Sequence, residues 1–267
     1  MYEEYREPLP DLQAYLERIG LTEAPEPTAE NLDMLVFRHQ CSVPFDDLDE
    51  AVLHQAVSVV PADLFEKIVV RRRGGFCFEQ NALFCKALQG LGYDAYETFA
   101  RVAWGWPEAP KPCTHCAVIV QIPGEPFRRF CDVGFGGPSA PASLPIVDGF
   151  EGDVRGESFL MKRIGHGWWR TSRRREDGSV EDLIEFGVHR YEPEEFMGMN
   201  YYISASPQSP FQQVIMVNLR TENGSLALTG DRLTIREGGE VTEIAVPDPE
   251  TLSAVLKKYY GITFPEA

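Results

Sequence analysis

The spacing of apolar residues along the chain changes near residue 90. Before that point apolar residues recur every three or four positions, the period of an amphipathic helix. Thr28 is placed to cap one of these helices, and Gly90 follows the last of them. The first ninety residues are therefore predicted to be helical, with helices around residues 12–19, 32–36, 64–68 and 76–89.

From residue 91 onward apolar and polar residues alternate, as in half-buried strands. Gly and Pro are frequent between the alternating segments, and Asn223-Gly224 is typical of a hairpin turn. A final helix is predicted to start after Asp248, with Pro249 in its first position. The predicted strands lie at 93–102, 114–122, 127–133, 214–219, 225–228, 232–235 and 241–246.

Composition and charge limit the classes of function. The chain has 267 residues, of which 43% are hydrophobic and 25% charged, as in an ordinary folded protein. Its formal net charge of -16 disfavours binding to nucleic acid or to an anionic membrane. No apolar run approaches the roughly 20 residues of a membrane helix, and the start is acidic, unlike a secretory signal. We therefore expect a cytoplasmic protein that binds neither nucleic acid nor membranes, whose oligomeric state the sequence leaves open.

Cys77 is the strongest candidate for a nucleophile. It follows Gly74-Gly75 and lies in the first turn of a predicted helix, where unpaired N–H groups and the helix dipole favour negative charge. Such a position lowers the pKa of a thiol and makes the thiolate available at neutral pH. The two glycines allow a sharp turn and the close approach of a substrate.

His115 and Asp132 are candidates for the base and for the group that orients it. Segments 114–122 and 127–133 can form an antiparallel hairpin. If His115 lies directly opposite Asp132 in it, the turn must be centred between Pro123 and Gly124. A Pro-Gly pair is a strong turn signal, so the turn expected from the sequence and the pairing needed to bring the two residues together agree to within a residue or two. The sequence thus predicts a Cys-His-Asp triad with the histidine and aspartate on one face of the hairpin.

The six cysteines are too few for a disulfide scaffold and are expected to be reduced. Cys113 and Cys116, together with Cys131, allow a competing hypothesis, a non-catalytic zinc-binding module. A second ligand pair is missing, however, and the hairpin places Cys116 on the face opposite to His115. We therefore predict no metal site, and packing roles for Cys116 and Cys131.

The glycine-rich segment after Asp132 and the arginine runs are candidates for anion binding. Gly134 to Gly137 can form a backbone nest for an oxyanion or a phosphate. The arginine runs lie at 71–73, 128–129 and 173–175, and runs of this kind are usually solvated. The other histidines lack a partner at a suggestive spacing and are predicted to be structural.

These residues resemble the arylamine N-acetyltransferase family, in its bacterial type. Segment 73–81, Arg-Gly-Gly-Phe-Cys-Phe-Glu-Gln-Asn, is similar to that family's signature around its nucleophile. Similar segments occur in family order over nearly the whole chain, at 43–49, 114–115, 132–137 and 206–211. One departure is Asp46-Asp47, where the family usually has Glu-Asn.

The resemblance implies an α+β fold in three parts that form one compact unit. A helical N-terminal part, residues 1–90, would carry the nucleophile. An antiparallel β-barrel, residues 91–200, would carry His115 and Asp132, and an α/β lid, residues 201–267, would complete the fold. The triad core would be similar to that of cysteine proteases.

The implied reaction is transfer of an acetyl group from acetyl-CoA, through a thioester on Cys77, to an arylamine or arylhydrazine, as in xenobiotic metabolism. His115 would be the base and Asp132 its orienter. Acetyl-CoA would be a co-substrate, with no tightly bound cofactor. The alternatives are an amide synthase, a thiol hydrolase and a transglutaminase-like enzyme that use the same triad.

The resemblance also implies binding residues. The CoA phosphates would lie near a run of four residues, Gly134, Phe135, Gly136 and Gly137. Three aromatic residues would form walls for the acceptor, with core packing as the competing role: Phe45, Phe135 and Phe211.

Overall fold

The computed structural model describes residues 2–105 and 112–264. The α-helices of these residues are α1 (Leu12–Arg18), α2 (Ala29–Ser42), α3 (Leu48–Ala51), α4 (Pro61–Leu64), α5 (Cys77–Gly90), α6 (Met197–Ala205) and α7 (Pro249–Val255). Two π-helical segments, Phe65–Val70 and Leu256–Tyr260, extend α4 and α7. Short 3-10 turns occur at Glu3–Tyr5, Pro193–Phe196 and Pro210–Gln212.

The strands are β1 (Phe45–Asp46), β2 (Asp94–Val102), β3 (His115–Gln121), β4 (Arg128–Cys131), β5 (Leu144–Pro145), β6 (Phe150–Val154), β7 (Glu157–Gly165), β8 (Trp168–Arg174), β9 (Val180–Phe186), β10 (Met216–Thr221), β11 (Gly224–Thr229), β12 (Arg232–Glu237) and β13 (Glu240–Ala245). All strand pairs of the two sheets are antiparallel.

Helix α5 lies at the centre of the fold. Its residues 77–88 are all buried, and it packs against β2 and β3. Burial on every side fixes the helix in place, because any displacement would disturb tightly packed contacts. The helix begins one residue later than predicted, and the residue with left-handed backbone after it is Gly92 (φ +89°) rather than Gly90.

The middle of the chain forms an eight-stranded, nearly closed barrel with the strand order β5-β4-β3-β2-β9-β8-β7-β6. The sequence pattern assigned no strands to the region of β6–β9. In β8, for example, the residues at both ends are half-buried and two successive residues in between are buried, so burial does not alternate along the strand. Register shifts in β7–β8 and β8–β9 also break the alternation.

The hairpin of β3 and β4 differs from the predicted register. Val118 lies opposite Cys131, so the turn falls one residue later than predicted, after Gly124 (φ +86°). His115 is therefore displaced by two positions from direct opposition to Asp132. A shift of two residues preserves the face on which each side chain lies, because side chains alternate with a period of two.

The C-terminal part is α/β, with a five-stranded sheet in the order β1-β10-β11-β12-β13 and helix α7. The predicted meander is confirmed, but Thr221 pairs with Gly224, so its first turn lies one residue earlier than predicted. Gly224 is required within the strand, because a Cβ there would lie 1.8 Å from the carbonyl oxygen of Arg236. Asp248 caps α7 as predicted, accepting a hydrogen bond from the N–H of Thr251 at 2.8 Å.

The α+β fold is thus as predicted, while the division of the chain at residues 90 and 200 stays a prediction. Strand β1 comes from the N-terminal part and pairs with β10 of the C-terminal sheet. This pairing brings the segment before α5 next to the C-terminal part. Within the two described ranges, no helix combines the length and the apolar character that crossing a membrane requires.

Candidate active site

The loop before α5 is fixed by close backbone contacts. A Cβ at Gly74 would lie 2.0 Å from the carbonyl oxygen of Pro44, so only glycine fits there. Asp46 accepts hydrogen bonds from the N–H of Gly74 at 2.9 Å and from Nη2 of Arg73 at 3.1 Å. These contacts hold the chain directly ahead of Cys77, the first residue of the helix.

A buried ionic network fixes the first turn of α5 from the other side. Glu79 accepts a hydrogen bond from the N–H of Phe76 at 3.1 Å and one from Nζ of Lys67 at 2.7 Å. Lys67 also contacts Asp49 at 2.6 Å. The carboxylate of Glu79 therefore satisfies one of the helix's otherwise unpaired N–H groups.

The three residues predicted to form a triad are brought together. His115 begins β3 and Asp132 follows β4, and Nε2 of His115 lies 2.7 Å from Oδ2 of Asp132. The thiol of Cys77 lies close enough to the imidazole for each group to shift the pKa of the other. Because Nε2 faces the carboxylate, Nδ1 is the ring nitrogen left for exchange with the thiol. All three side chains are buried, with 2–4% of each residue exposed.

The surroundings of Cys77 and His115 favour an ion pair between them. Burial raises the pKa of the Cys77 thiol, but a hydrogen bond from Cys116 and the charge and hydrogen bond of His115 outweigh it and lower the pKa to about 6. Burial lowers the pKa of His115, but the negative charges of Asp132 and Cys77 raise it well above its usual range. Near neutral pH the resting pair is therefore a thiolate and an imidazolium.

Asn81 belongs to this site although the sequence analysis gave it no role. Its Nδ2 donates hydrogen bonds to Oδ1 of Asp132 at 3.1 Å and to the carbonyl oxygen of Cys116 at 2.9 Å. Its Oδ1 accepts one from the N–H of Val133 at 3.1 Å. Asn81 lies four residues after Cys77, on the same face of α5, and this spacing was the signal that could have identified it.

The glycine-rich segment lies against the nucleophile. A Cβ at Gly134 would be 2.8 Å from Cα of Cys77, and one at Gly136 (φ +67°) would be 2.7 Å from the ring of Phe45. The ring of Phe135 packs edge-on against His115, with 6.0 Å between ring centroids. The segment thus contacts both the nucleophile and the base.

The other two predicted aromatic residues pack against each other near the start of α5. The rings of Phe45 and Phe211 are 6.0 Å apart, and Phe211 is 5.8 Å from Phe76. Cys77 belongs to the same hydrophobic cluster as Phe45 and Phe76. The thiol therefore has an apolar, aromatic environment.

The arginine runs are engaged within the protein. Arg73 contacts Asp46 and Asp49, and Arg129 contacts Glu125. In the run 173–175, each arginine contacts a glutamate: Glu157 and Glu181 for Arg173, Glu151 for Arg174, and Glu181 for Arg175. The acidic residues of the chain thus neutralise much of its basic charge locally.

The structure also bears on two other sequence predictions, the structural role of the remaining histidines and the zinc hypothesis. His39 is buried and bridges Tyr15 and Gln80 with its two ring nitrogens, at 2.9 and 3.2 Å. Burial lowers the pKa of His39 to about 3, so it is neutral. As for the zinc hypothesis, no group of three or more His, Cys, Asp and Glu side chains in residues 2–105 and 112–264 is arranged to hold a metal ion.

Comparison with known proteins identifies the family. A family model described as N-acetyltransferase matches residues 28–267. The arylamine N-acetyltransferase / N-hydroxyarylamine O-acetyltransferase of Salmonella typhimurium is 31% identical over 253 residues, covering 94% of this chain and 88% of the relative. The chain belongs to the arylamine N-acetyltransferase family.

Solved structures of arylamine N-acetyltransferases share the fold. The enzyme from Mycobacterium tuberculosis matches with a TM-score of 0.88 at 30% identity, covering 94% of both chains. The Mycobacterium marinum arylamine N-acetyltransferase in complex with CoA matches with a TM-score of 0.87 at 26% identity, covering 95% of this chain and 93% of that one.

The one departure from the pattern expected of an arylamine N-acetyltransferase, Asp46-Asp47, lies next to this site. Asp47 is fully buried, and its Oδ1 accepts a hydrogen bond from the N–H of Met216 at 2.7 Å. Its Oδ2 has no hydrogen-bond partner within the described part of the chain. Burial and the neighbouring charge of Asp46 raise the pKa of Asp47 to about 8. The second aspartate therefore tends to be neutral, like the asparagine expected there.

Proposed function

We propose that this chain transfers an acetyl group from acetyl-CoA to the nitrogen of an arylamine or arylhydrazine, through a thioester on Cys77. The observation that carries the proposal is the grouping of Cys77 at the buried start of α5 with the hydrogen-bonded pair His115 and Asp132, whose imidazole lowers the pKa of the thiol. Family membership supports the donor and acceptor classes, and a relative of known structure binds CoA.

In the first half-reaction the thiolate of Cys77 attacks the acetyl carbonyl carbon of acetyl-CoA. A C–S bond to Cys77 forms as the C–S bond to CoA breaks, and the imidazolium of His115 gives its proton to the departing CoA thiolate. Backbone N–H groups in the first turn of α5 are the candidates for stabilising the oxyanion. The products are free CoA, acetylated Cys77 and a neutral His115.

In the second half-reaction a neutral arylamine attacks the thioester carbonyl. His115 accepts a proton from the amine nitrogen as the C–N bond forms, and Cys77 leaves as a thiolate. The thiolate and imidazolium are thereby restored. Asp132 holds the ring in the tautomer that this exchange requires and stabilises its positive charge.

The binding residues expected from the sequence have positions that suit this reaction. Gly134 and Gly136 let the segment after Asp132 pack closely against Cys77 and Phe45. We propose that the backbone of this segment, Gly134 to Gly137, binds the CoA phosphates. Phe45 shares a hydrophobic cluster with Cys77, Phe211 packs against that cluster, and Phe135 packs against the imidazole of His115. We propose that they bind the aromatic acceptor, whose ring is favoured by such surfaces.

The test is intact-protein mass spectrometry of the reduced protein after mixing with acetyl-CoA alone, followed by addition of aniline. We expect a gain of one acetyl group, located on Cys77 by peptide mapping, and its loss to aniline as acetanilide appears. The Cys77→Ser variant should gain no acetyl group and have no turnover. The matched control is Cys131→Ala, which removes a thiol from the core cluster behind the hairpin and should be acetylated like the unmodified chain.

Two outcomes would contradict the proposal. Normal turnover by Cys77→Ser would exclude the thioester. Acetylation of Cys77 followed by release of acetate at the same rate with and without aniline would favour the alternative function, a thiol hydrolase.

A further inference from the structure

A second thiol lies beside the nucleophile. Sγ of Cys116 is 3.4 Å from the carbonyl oxygen of Cys77, both residues belong to the same buried cluster, and each thiol influences the pKa of the other. Cys116 is fully buried and directly follows His115 in β3. The sequence analysis assigned it to packing, and its burial agrees with that role, but packing alone does not require a sulfur at this position.

The two cysteines are held together by the elements that carry them. Cys77 is the first residue of α5 and Cys116 the second residue of β3. Asn81, one turn further along the helix, donates a hydrogen bond to the carbonyl oxygen of Cys116 at 2.9 Å. This bond fixes the first turns of the helix against the start of the strand.

We propose that Cys116 is a resolving cysteine, which forms a reversible disulfide with Cys77 when the active-site thiolate is oxidised by a peroxide. The disulfide would switch acetyl transfer off and would protect Cys77 from irreversible oxidation. This proposal goes beyond the transfer reaction and requires only that Cys77 is a reactive thiolate.

The chemistry balances with hydrogen peroxide as the oxidant. The thiolate of Cys77 attacks one peroxide oxygen, the O–O bond breaks, and the hydroxide that leaves takes the proton of the His115 imidazolium to become water. Cys77 is then a sulfenic acid. The sulfur of Cys116 attacks the sulfur of Cys77, an S–S bond forms as the S–O bond breaks, and the departing hydroxide leaves with the Cys116 proton as water.

Oxidation of Cys77 to a sulfenic acid also makes the thiol of Cys116 easier to deprotonate. Burial raises the pKa of Cys116, and the neighbouring thiolate of Cys77 raises it further. Once Cys77 is a neutral sulfenic acid, this second contribution disappears, and Cys116 loses its proton more easily. Cys77 keeps 3% of its surface exposed, and hydrogen peroxide is a very small molecule, so the buried position of the sulfur does not exclude it.

The experiment exposes the reduced protein to hydrogen peroxide, removes the peroxide and divides each sample. One half is analysed by intact mass and non-reducing peptide mapping, and the other is assayed before and after dithiothreitol. We expect the mass to fall by two hydrogens, a peptide that links Cys77 to Cys116, and recovery of nearly all activity on reduction. Each variant is compared with its own untreated activity.

The informative variants are Cys116→Ser and Cys116→Ala, each checked for folding by circular dichroism. In both, peroxide should add two or three oxygens to Cys77, and dithiothreitol should restore less than a tenth of the lost activity. Cys131→Ala is the matched control and should recover like the unmodified chain. The mass measurements do not depend on acetyl transfer, so they remain decisive if the proposed reaction is wrong.

The proposal is overturned if the reversibly inactivated protein contains no peptide that links Cys77 to Cys116. A disulfide between Cys77 and a different cysteine would overturn it as well. It is also overturned if either Cys116 variant recovers as fully as the unmodified chain. Peptide mapping is carried out on the unmodified protein. The search for the Cys77–Cys116 peptide therefore still tests the proposal if a Cys116 variant fails to fold.

Discussion

The side-chain amide of Asn81 donates a hydrogen bond to Oδ1 of Asp132 at 3.1 Å, while the other carboxylate oxygen lies 2.7 Å from Nε2 of His115. The N–H of Gly134 donates a second hydrogen bond to Oδ1, also at 3.1 Å. The carboxylate therefore has partners on both oxygens, and its plane cannot rotate without losing one of them. Helix α5 thus carries both the nucleophile and the group that orients the far end of the triad.

We predict that Asn81→Ala lowers kcat by about tenfold to a hundredfold, since a hydrogen bond to a charged group contributes about 1.5–3 kcal/mol. The KM for acetyl-CoA should change little, because Asn81 positions Asp132 and is not proposed to touch the donor. Steady-state kinetics separate the two parameters. The control is Gln89→Ala, which removes a hydrogen bond from the end of α5 to the carbonyl oxygen of Ala95 and should leave kcat unchanged. A loss confined to KM would contradict the positioning role.

Asp132→Asn is predicted to reduce the rate of thioester formation by up to about 10⁴-fold. An amide in place of the carboxylate can donate its own hydrogen to Nε2 of His115, which stabilises the wrong tautomer and removes the charge that supports the imidazolium. Rapid-quench measurement of CoA release in a single turnover reports this step directly. A rate within tenfold of the unmodified chain would show that the carboxylate has little influence on the base.

The reactivity of Cys77 should depend on pH with a midpoint near 6, because its pKa is lowered to about 6 from the ordinary 9.0. Below the midpoint the thiol is protonated and alkylation by iodoacetamide slows; above it the thiolate reacts at a constant rate. Peptide-resolved alkylation between pH 4.5 and 9.5 measures the curve. In His115→Ala the midpoint should move upward, since the positive charge is lost. An unmoved midpoint would indicate that His115 does not stabilise the thiolate.

Gly134→Ala should impair the enzyme, because the new Cβ would lie 2.8 Å from Cα of Cys77, closer than such atoms can approach. The backbone of α5 or of the loop must shift, at a cost of about 1–3 kcal/mol in the free energy of unfolding. We expect a loss of at least tenfold in the rate of Cys77 acetylation. Gly198→Ala in α6, where a Cβ meets no neighbour within 4 Å, is the matched control. Equal activities of the two variants would contradict the close approach.

Asp47→Asn is predicted to stabilise the protein above pH 7. The pKa of Asp47 in the folded state, about 8, lies above the ordinary 3.8, so ionisation favours the unfolded chain increasingly as the pH rises from about 4 to 8. Below pH 4 the effect is absent. The variant should raise the free energy of unfolding at pH 8 by roughly 1–3 kcal/mol.

Urea denaturation at pH 4 and pH 8 tests this prediction. The stabilisation by Asp47→Asn should shrink at the lower pH, because the carboxyl is then neutral in both states. The control variant is Asp63→Asn at an exposed position, which should change the free energy of unfolding little because the side chain has few contacts to lose. A stabilisation of equal size at both pH values would show that ionisation of Asp47 is not its cause.

The sequence alone determined the features that depend on local periodicity. The glycine pair followed by an apolar helical stripe predicted a helix beginning at Phe76, one residue before its observed start at Cys77. Alternation along the hairpin placed His115 and Asp132 on one face, and this prediction survived an error of two residues in register, because a shift of two preserves the face. The resemblance in segment 73–81 then indicated the family that the comparisons identify.

Tertiary structure decided what depends on contacts between distant segments. The pairing of β1 with β10 joins residues that are far apart in the sequence, and β1 is only two residues long, too short to show a pattern. The barrel strands β6–β9 contain many half-buried residues, which leave no clean alternation in the sequence. The contacts of Asn81 and Cys116 form only where α5 meets β3. The sequence did not reveal them, because a hydrogen bond or a thiol contact between two distant elements leaves no periodic pattern. Local patterns specify elements and their faces, whereas the partners of each polar group are set by how those elements pack.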